Sequence, residues 1–125
     1  MIKRPVDKRF TGLVREGRKT TTIREKPWPL WTPIMLYNWS GIAYRSKQSD
    51  VAAVIVSRVT PITITHHKSG EMSYEYKCHG EARPIWQTEG FNSGLEMDEW
   101  FRRLVKPGQS IERPLMTFRL QSEIS

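Results

Sequence analysis

The chain has 125 residues, of which 26% are charged and 38% hydrophobic, and these values predict one globular domain over residues 1–125. Its 20 Lys+Arg and 13 Asp+Glu give a formal net charge of +7, which favours an anionic partner, and nucleic acid is a common one. Cys78 is the only cysteine, so the sequence excludes a disulfide within the chain and a four-cysteine zinc site, and it fits a reducing cytoplasm. We expect neither a membrane span nor a secretory signal, because no long apolar run is present.

The positive charge is concentrated in one half of the chain. Residues 1–62 hold 12 of the Lys+Arg but only 4 of the Asp+Glu. Such a surface attracts polyanions by a mechanism that does not depend on their sequence. The competing interpretation is that the charge only keeps the protein soluble.

The N-terminal region predicts a helix. Apolar side chains follow the i, i+4, i+7, i+8 spacing of one helix face: Val6, Phe10, Leu13 and Val14. Pro5 suits the start of a helix and Gly17 suits its end. We therefore predict one helix over about residues 6–16.

The next region predicts strands. β-branched residues favour a strand over residues 20–24, in which Thr22 and Arg24 share one face while Thr21 and Ile23 share the other. Three prolines predict a loop over residues 27–33. Strands are then predicted over three segments, residues 34–39, a short return at 42–45, and a central buried strand at 51–59.

Pro61 is expected to break or bend the central strand, because proline cannot donate to a β-ladder. Residues 62–65 alternate apolar and polar side chains, and the turn signal Ser69-Gly70 predicts that residues 72–77 pair back as a hairpin. A short helix is predicted from Glu81 to about Gly90, with Pro84 in its first turn.

The C-terminal region predicts a capped helix and a closing strand. Ser93 and Glu96 form an S-x-x-E capping box, and Pro107-Gly108 should end the helix that follows. Residues 115–120 alternate as a last strand. Strands grouped together, with helices kept apart from them, predict an α+β fold or a barrel with helical covers.

Two places combine groups that can perform chemistry. Lys19 lies at a bend beside Thr22 and Arg24, which offers a hydroxyl and two cations to a common space; the alternative is a polar strand with surface cations. The segment lacks the spacing of a P-loop, so nucleotide triphosphate binding is disfavoured. Glu89 precedes a glycine at a predicted helix end, where a carboxylate can face a cleft, or it is an ordinary surface glutamate.

Weaker candidates surround them. Arg45, Ser46 and Lys47 can contact phosphates, or they form a solvated turn. Three tryptophans can stack a base or serve packing: Trp28, Trp31 and Trp39. We expect no metal site from His66-His67, Cys78 and His79, because neighbouring strand residues point to opposite faces and no zinc-type spacing is present.

Two segments resemble one known family. Gly17-Arg18-Lys19-Thr20 with Thr22-Ile23-Arg24 resembles the signature of the ASCH family in the PUA-like superfamily. Glu89-Gly90-Phe91, followed by Met97 and Trp100-Phe101, resembles its second block. The family's Gly-Asp turn is replaced here by Thr32-Pro33. The resemblance implies a PUA-like β-barrel with helices covering its ends and a cleft for RNA or a modified nucleoside.

One branch of that family hydrolyses N(4)-acetylcytidine to cytidine and acetate with a lysine, a threonine and a glutamate. The resemblance implies that Lys19, Thr22 and Glu89 are the catalytic residues, without a cofactor. Substrate-binding residues are expected among Arg24, Trp39, Arg45, Ser46 and Lys47. A non-catalytic RNA-binding module and a ribonuclease are the competing functions.

Overall fold

The computed structural model describes residues 1–42, 46–77 and 83–123. Six strands belong to one sheet: β1 (Ile2–Pro5), β2 (Thr21–Ile23), β3 (Pro33–Trp39), β4 (Gln48–His66), β5 (Met72–Tyr76) and β6 (Gln109–Leu120). Three α-helices accompany them: α1 (Thr11–Arg15), α2 (Ile85–Thr88) and α3 (Gly94–Arg102). The predicted α+β class is therefore confirmed.

The sheet has the strand order β1-β3-β4-β6-β2, and β5 pairs with β4. Only β1 and β3 are parallel; the other pairs are antiparallel. Within the described ranges no ladder joins the edge strands β1 and β2, so the sheet is not closed by hydrogen bonds. Register shifts at Leu36/Tyr37 and Val56/Arg58 mark β-bulges, which increase the local twist of the strands.

The core lies on the inner face of β4 and β6. The fully buried side chains of β4 fall on alternate positions within two stretches, Val54 with Val56 and Ile62 with Ile64, and those of β6 are Leu115, Met116 and Phe118. Val14 of α1 and Met97 and Phe101 of α3 belong to the same cluster, so the helices cover this face. Burying each large apolar side chain contributes about 1.5–3 kcal/mol relative to exposure.

The predicted helix over residues 6–16 is wrong in its first half. The backbone N–H of Val6 donates to Tyr37 O at 2.9 Å, so the chain continues along β3 after β1. The Asp7 carboxylate then accepts from the N–H of Arg9 and starts a 3-10 turn over Lys8–Phe10. Within residues 6–16 only α1 is α-helical. Gly17 ends this region as predicted, with a φ of 72° that glycine adopts without steric cost.

The predicted break at Pro61 is also wrong, because β4 passes through it without interruption. Pro61 lies directly opposite Pro114 of β6. Rungs of an antiparallel ladder alternate between pairs that exchange hydrogen bonds and pairs that do not. With the two prolines at one rung that exchanges no hydrogen bonds, neither missing N–H removes a bond between β4 and β6.

Later elements follow the predictions more closely. The hairpin partner of β4 is confirmed as β5, and α2 begins after Pro84. Glu81, the predicted start of that helix, lies outside the described residues. Ser93 caps α3 by accepting from the N–H of Glu96, but the helix ends at Arg102, ahead of the predicted stop. The last strand is longer than predicted, since β6 begins at Gln109.

The Ser93 cap yields a stability prediction. We expect Ser93→Ala to lower the free energy of unfolding by about 1 kcal/mol, because the N–H of Glu96 loses its acceptor. Ser93→Asp keeps a side-chain acceptor and should unfold like the wild type. Urea denaturation of the three proteins measures the effect, and equal losses in both variants would contradict the capping role.

Candidate active site

A cavity of about 170 Å³ opens between β2, the 3-10 turn and the junction of α2 with α3. Ten residues line it: Asp7, Phe10, Lys19, Thr22, Ile23, Arg24, Glu89, Phe91, Trp100 and Phe101. The predicted catalytic residues Lys19, Thr22 and Glu89 therefore share one cavity, together with Arg24. Glu89 is far from the other three in the chain, and the fold brings it to them.

Lys19 is held at the bend between α1 and β2. The N–H groups of Arg18 and Lys19 both donate to Leu13 O, at 2.8 and 3.0 Å, which fixes the backbone as it leaves the helix. The side chain of Lys19 is only 4% exposed. Its Nζ donates to the backbone oxygens of Thr21 and Glu89, each at 2.7 Å, and lies 4.7 Å from the centre of the Phe10 ring.

Burial lowers the pKa of Lys19 from 10.5 to about 8. Within this net shift Glu89 raises the pKa of Lys19, while the positive charges of Arg24 and Arg9 add to the effect of burial. A neutral amine has two hydrogens and one lone pair. The two carbonyl contacts use both hydrogens, so the lone pair of a neutral Lys19 is available to accept a proton.

Glu89 lies at the C-terminal end of α2 and is 4% exposed. Its Oε2 accepts a hydrogen bond of 2.5 Å from the hydroxyl of Thr21. The N–H of Thr20 donates to Thr88 O at 2.9 Å, which joins β2 to α2 beside this contact. The carboxylate is thus fixed by the strand that also carries Thr22.

Thr22 and Arg24 interact directly, as their predicted common strand face requires. Arg24 Nε donates to Thr22 Oγ1 at 2.9 Å, and the guanidinium lies 4.9 Å from the centre of the Trp28 ring. Burial lowers the pKa of Arg24, and Glu89 opposes that shift. A cation that donates to a hydroxyl oxygen stabilises the negative charge that forms there on deprotonation.

Aromatic rings form the opposite wall of the cavity. Phe91 lies 5.6 Å from Phe10 and 5.6 Å from Trp100 between ring centres, in edge-on or tilted contacts. The guanidinium of Arg9 lies 5.0 to 5.8 Å from the centres of these three rings and binds the carboxylate of Glu96. Such a wall suits a flat ring with polar edges.

Sequence reasoning missed Thr21 as a site residue. Strand alternation placed it on the face opposite Thr22, which gave no reason to connect it with Glu89. Strand alternation does not predict which element packs on each face of β2. In the structure α2 packs on the Thr21 face and brings Glu89 to it. The lining residues Asp7 and Phe10 were missed for the same reason.

Within the described residues, the other predicted substrate-binding residues, Trp39, Ser46 and Lys47, do not line this cavity. Trp39 is half-buried, with its ring 5.4 Å from that of Tyr37, and borders a separate depression that meets the cavity at Asp7. Ser46 Oγ accepts from the N–H of Gly41 and donates to Ile42 O, as in a turn. Lys47 is exposed, and Arg45 lies outside the described residues.

The histidines have local partners. His66 Nδ1 lies 2.8 Å from Val105 O, and His67 Nε2 lies 2.9 Å from Ser73 Oγ. Cys78 and His79 lie outside the described residues. Among residues 1–42, 46–77 and 83–123, no three His, Cys, Asp or Glu side chains are grouped as metal ligands would be. No helix in that part of the chain is long and apolar enough to cross a membrane.

Comparison with protein-family models, with curated proteins and with solved structures finds no match for this chain.

Gly90 controls how the chain leaves Glu89, and this yields a prediction. Its φ is 95°, and a Cβ there would lie 2.9 Å from Cδ1 of Phe10. We expect Gly90→Ala to lower the free energy of unfolding by at least about 1 kcal/mol, because the left-handed backbone and the contact both disfavour a side chain. Gly12 is the matched control, since a Cβ there meets nothing within 4 Å.

Gly12→Ala should raise the free energy of unfolding by up to about 1 kcal/mol, because alanine favours a helix more than glycine does. Urea denaturation measures both variants. An equal effect at the two positions would contradict the constraint at Gly90.

The buried amine of Lys19 predicts how stability depends on pH. Between about pH 8 and pH 10.5 the unfolded chain holds the Lys19 proton more tightly than the folded protein, so the free energy of unfolding rises with pH. The full gain is on the order of 3 kcal/mol. Unfolding of wild type and Lys19→Met across pH 7 to 10.5 measures it. A difference between the two proteins that stays constant over this range would contradict the prediction.

Proposed function

We propose that the chain is an ASCH-type hydrolase that removes an acyl group from a modified cytidine nucleoside such as N(4)-acetylcytidine. The observation that supports this most strongly is that Lys19, Thr22 and Glu89 line one cavity. They are the residues that the family resemblance selects, and the cavity was not used to select them.

The size and lining of the cavity support a small flat substrate. Its volume of about 170 Å³ is below the roughly 300–1,000 Å³ of sites for drug-sized ligands. An acylated pyrimidine ring suits that space, with its sugar outside. Aromatic rings on one wall can stack on the base while the polar groups of the opposite wall face its acyl substituent.

The chemistry begins at Thr22. Neutral Lys19 takes the hydroxyl proton, and Thr22 Oγ1 forms a bond to the acetyl carbon. Arg24, already bound to this oxygen, stabilises the negative charge that develops. The tetrahedral adduct expels the cytosine nitrogen, which takes a proton from the acid form of Glu89. Cytidine leaves, and the acetyl group stays on Thr22 as an ester.

Water completes the cycle. Glu89, now a carboxylate, takes a proton from water, whose oxygen attacks the ester carbon. The bond to Thr22 Oγ1 breaks, and protonated Lys19 returns its proton to that oxygen. Acetic acid leaves and gives its remaining proton to the solvent to become acetate, and each group of the protein regains its starting form. A variant in which Glu89 activates water directly on the amide uses the same residues without the ester.

The fold and location belong to the same proposal. The twisted, mostly antiparallel sheet with helices on its core face is consistent with a PUA-like barrel whose ends are covered by helices. The partner is a modified nucleoside, free or within RNA, and the exposed cations of the N-terminal half would attract the phosphates of RNA. The single cysteine supports a cytoplasmic location.

Turnover of N(4)-acetylcytidine tests the proposal. We expect wild type to release cytidine and acetate, and Lys19→Ala, Thr22→Val and Glu89→Gln each to lower kcat/KM by about 10²- to 10⁴-fold, the usual contribution of acid–base groups. Lys26→Ala is the matched lysine control, since Lys26 is exposed and away from the cavity lining. Chromatography of the nucleosides measures the rates.

The pH profile adds a second criterion. Transfer of the acetyl group from p-nitrophenyl acetate to Thr22 needs neutral Lys19 but no acid, because p-nitrophenolate leaves without a proton. The rate of this transfer should therefore rise as pH increases through about 8. No turnover by wild type, or equal turnover by Lys19→Ala, would rule out the mechanism. Tight, salt-sensitive RNA binding without turnover would favour the binding module. RNA cleavage that depends on Lys19 and Glu89 would favour the ribonuclease.

A further inference from the structure

We infer that Thr21 and Thr88 are positioning residues that form a reversible chain of hydroxyl hydrogen bonds, which supports Glu89 in both of its protonation states. The inference rests on the proposed function and deepens it. Thr21 Oγ1 lies 2.5 Å from Glu89 Oε2 and 3.0 Å from Thr88 Oγ1. Thr88 Oγ1 lies 3.1 Å from Ile85 O, where the chain ends.

The hydrogens balance when Glu89 is ionised. Each threonine hydroxyl has one hydrogen to donate and an oxygen that accepts. The hydroxyl of Thr21 then donates to the carboxylate, and the hydroxyl of Thr88 donates to Thr21 Oγ1. Ile85 O still accepts from the N–H of Glu89, at 2.9 Å.

The hydrogens also balance when Glu89 is protonated. The carboxyl hydrogen is donated to Thr21 Oγ1, the Thr21 hydroxyl to Thr88 Oγ1, and the Thr88 hydroxyl to Ile85 O. Every hydroxyl hydrogen in the chain has an acceptor in either state, and Oε2 and Thr21 Oγ1 each have a partner. Only two hydroxyl rotations separate the states, so no heavy atom has to move.

Burial makes this arrangement necessary. Thr21 and Thr88 are fully buried, and Glu89 is 4% exposed, so solvent does not replace a missing partner. A buried polar group that loses its hydrogen bond costs about 1–3 kcal/mol. Without the chain, one protonation state of Glu89 would leave a polar atom unsatisfied.

The proposed hydrolysis requires both states. Glu89 gives a proton to the leaving nitrogen and then takes one from water, so its carboxyl changes protonation twice in each cycle. When Oε2 gives its hydrogen to the leaving nitrogen, the hydroxyls of Thr21 and Thr88 reverse and donate along the chain to Oε2. They reverse again when Oε2 takes a proton from water. Because the chain ends at a backbone carbonyl, it reorients with the carboxyl and does not carry the proton away.

The chain separates the roles of two adjacent threonines. Thr22 lines the cavity and reacts, whereas Thr21 acts only through Glu89. Loss of the Thr21 hydroxyl should therefore impair the step that needs acid catalysis and spare a step that does not. The acetyl transfer from p-nitrophenyl acetate to Thr22 is such a step, since p-nitrophenolate leaves without a proton.

The test compares Thr21→Val, Thr21→Ser and Thr88→Val on both substrates. We expect Thr21→Val to lower kcat for N(4)-acetylcytidine by about 10- to 100-fold with little change in KM, similar to the loss of outer partners at metal sites. Thr88→Val should show a smaller loss, and Thr21→Ser should restore the rate. With p-nitrophenyl acetate, the rate of the initial burst of p-nitrophenolate measures acetyl transfer to Thr22. This rate should stay within about twofold of wild type in all three variants, because loss of an acid–base group has a much larger effect.

Thr60→Val is the matched control, because Thr60 is buried on β4 and is absent from the cavity lining. Thermal melts of each variant report folding. If Thr21→Val melts like Thr60→Val yet loses both activities equally, the hydroxyl has only a structural role and the inference is wrong. An unchanged kcat for N(4)-acetylcytidine in Thr21→Val would also overturn it.

Infrared spectroscopy separates this inference from the proposed function. With ¹³C-labelled glutamate, the difference between wild type and Glu89→Gln reports the Glu89 carboxyl without any turnover. Thr21→Val should shift that band and Thr21→Ser should restore it; a band that does not move overturns the hydroxyl chain. If the band behaves as expected but wild type does not hydrolyse N(4)-acetylcytidine, the proposed function fails, and with it the chain's role in hydrolysis.

Discussion

The buried amine of Lys19 is the interaction on which the candidate site depends. Its Nζ donates to a carbonyl of β2 and to a carbonyl at the end of α2, at Thr21 and Glu89. An amine taken out of water needs such partners, because an unpaired buried charge is far more costly than a paired one. The two bonds tie segments that lie 68 residues apart in the chain, and they set the distance between Lys19 and the carboxylate. The requirement to satisfy one amine thus shapes the cavity, and the burial of that amine lowers its affinity for its proton.

The rest of the fold keeps this arrangement rigid. β2 has only three residues, and its ladder with β6 would hold it weakly alone. Further backbone bonds fix its start: Thr20 N–H donates to α2, and the N–H of Phe118 donates to Thr20 O at 2.8 Å. Phe118 belongs to the buried core, so the packing of the core also fixes the position of Thr20 at the start of β2. A catalytic group works at well-defined geometry only when the element that carries it is fixed in this way.

Local rules predicted those features that are determined by local chemistry. The cap at Ser93, the β4–β5 hairpin, the end of the first helical region at Gly17 and the common face of Thr22 and Arg24 follow from neighbouring residues and were predicted. The helix over residues 6–16 and the break at Pro61 failed because partners distant in sequence decided them: β3 holds Val6, and Pro114 faces Pro61. Glu89 was a candidate because it precedes a glycine at a predicted helix end, but only the family resemblance connected it with Lys19 and Thr22. Its contact with Thr21 depends on where α2 packs, which strand periodicity does not encode.

The three consecutive threonines of this segment show how one repeated side chain serves different ends. Thr20 joins the strand to α2 through its backbone, Thr21 supports the carboxyl from beneath, and Thr22 faces the cavity beside Arg24. A hydroxyl with one hydrogen and an accepting oxygen suits each place, because it fits a buried strand and can reverse the direction of its bond. A carboxyl that must give and then take a proton needs a neighbour of that kind, since a backbone N–H only donates and a carbonyl only accepts. The threonine at position 21 meets this need where valine, equal in shape, would not.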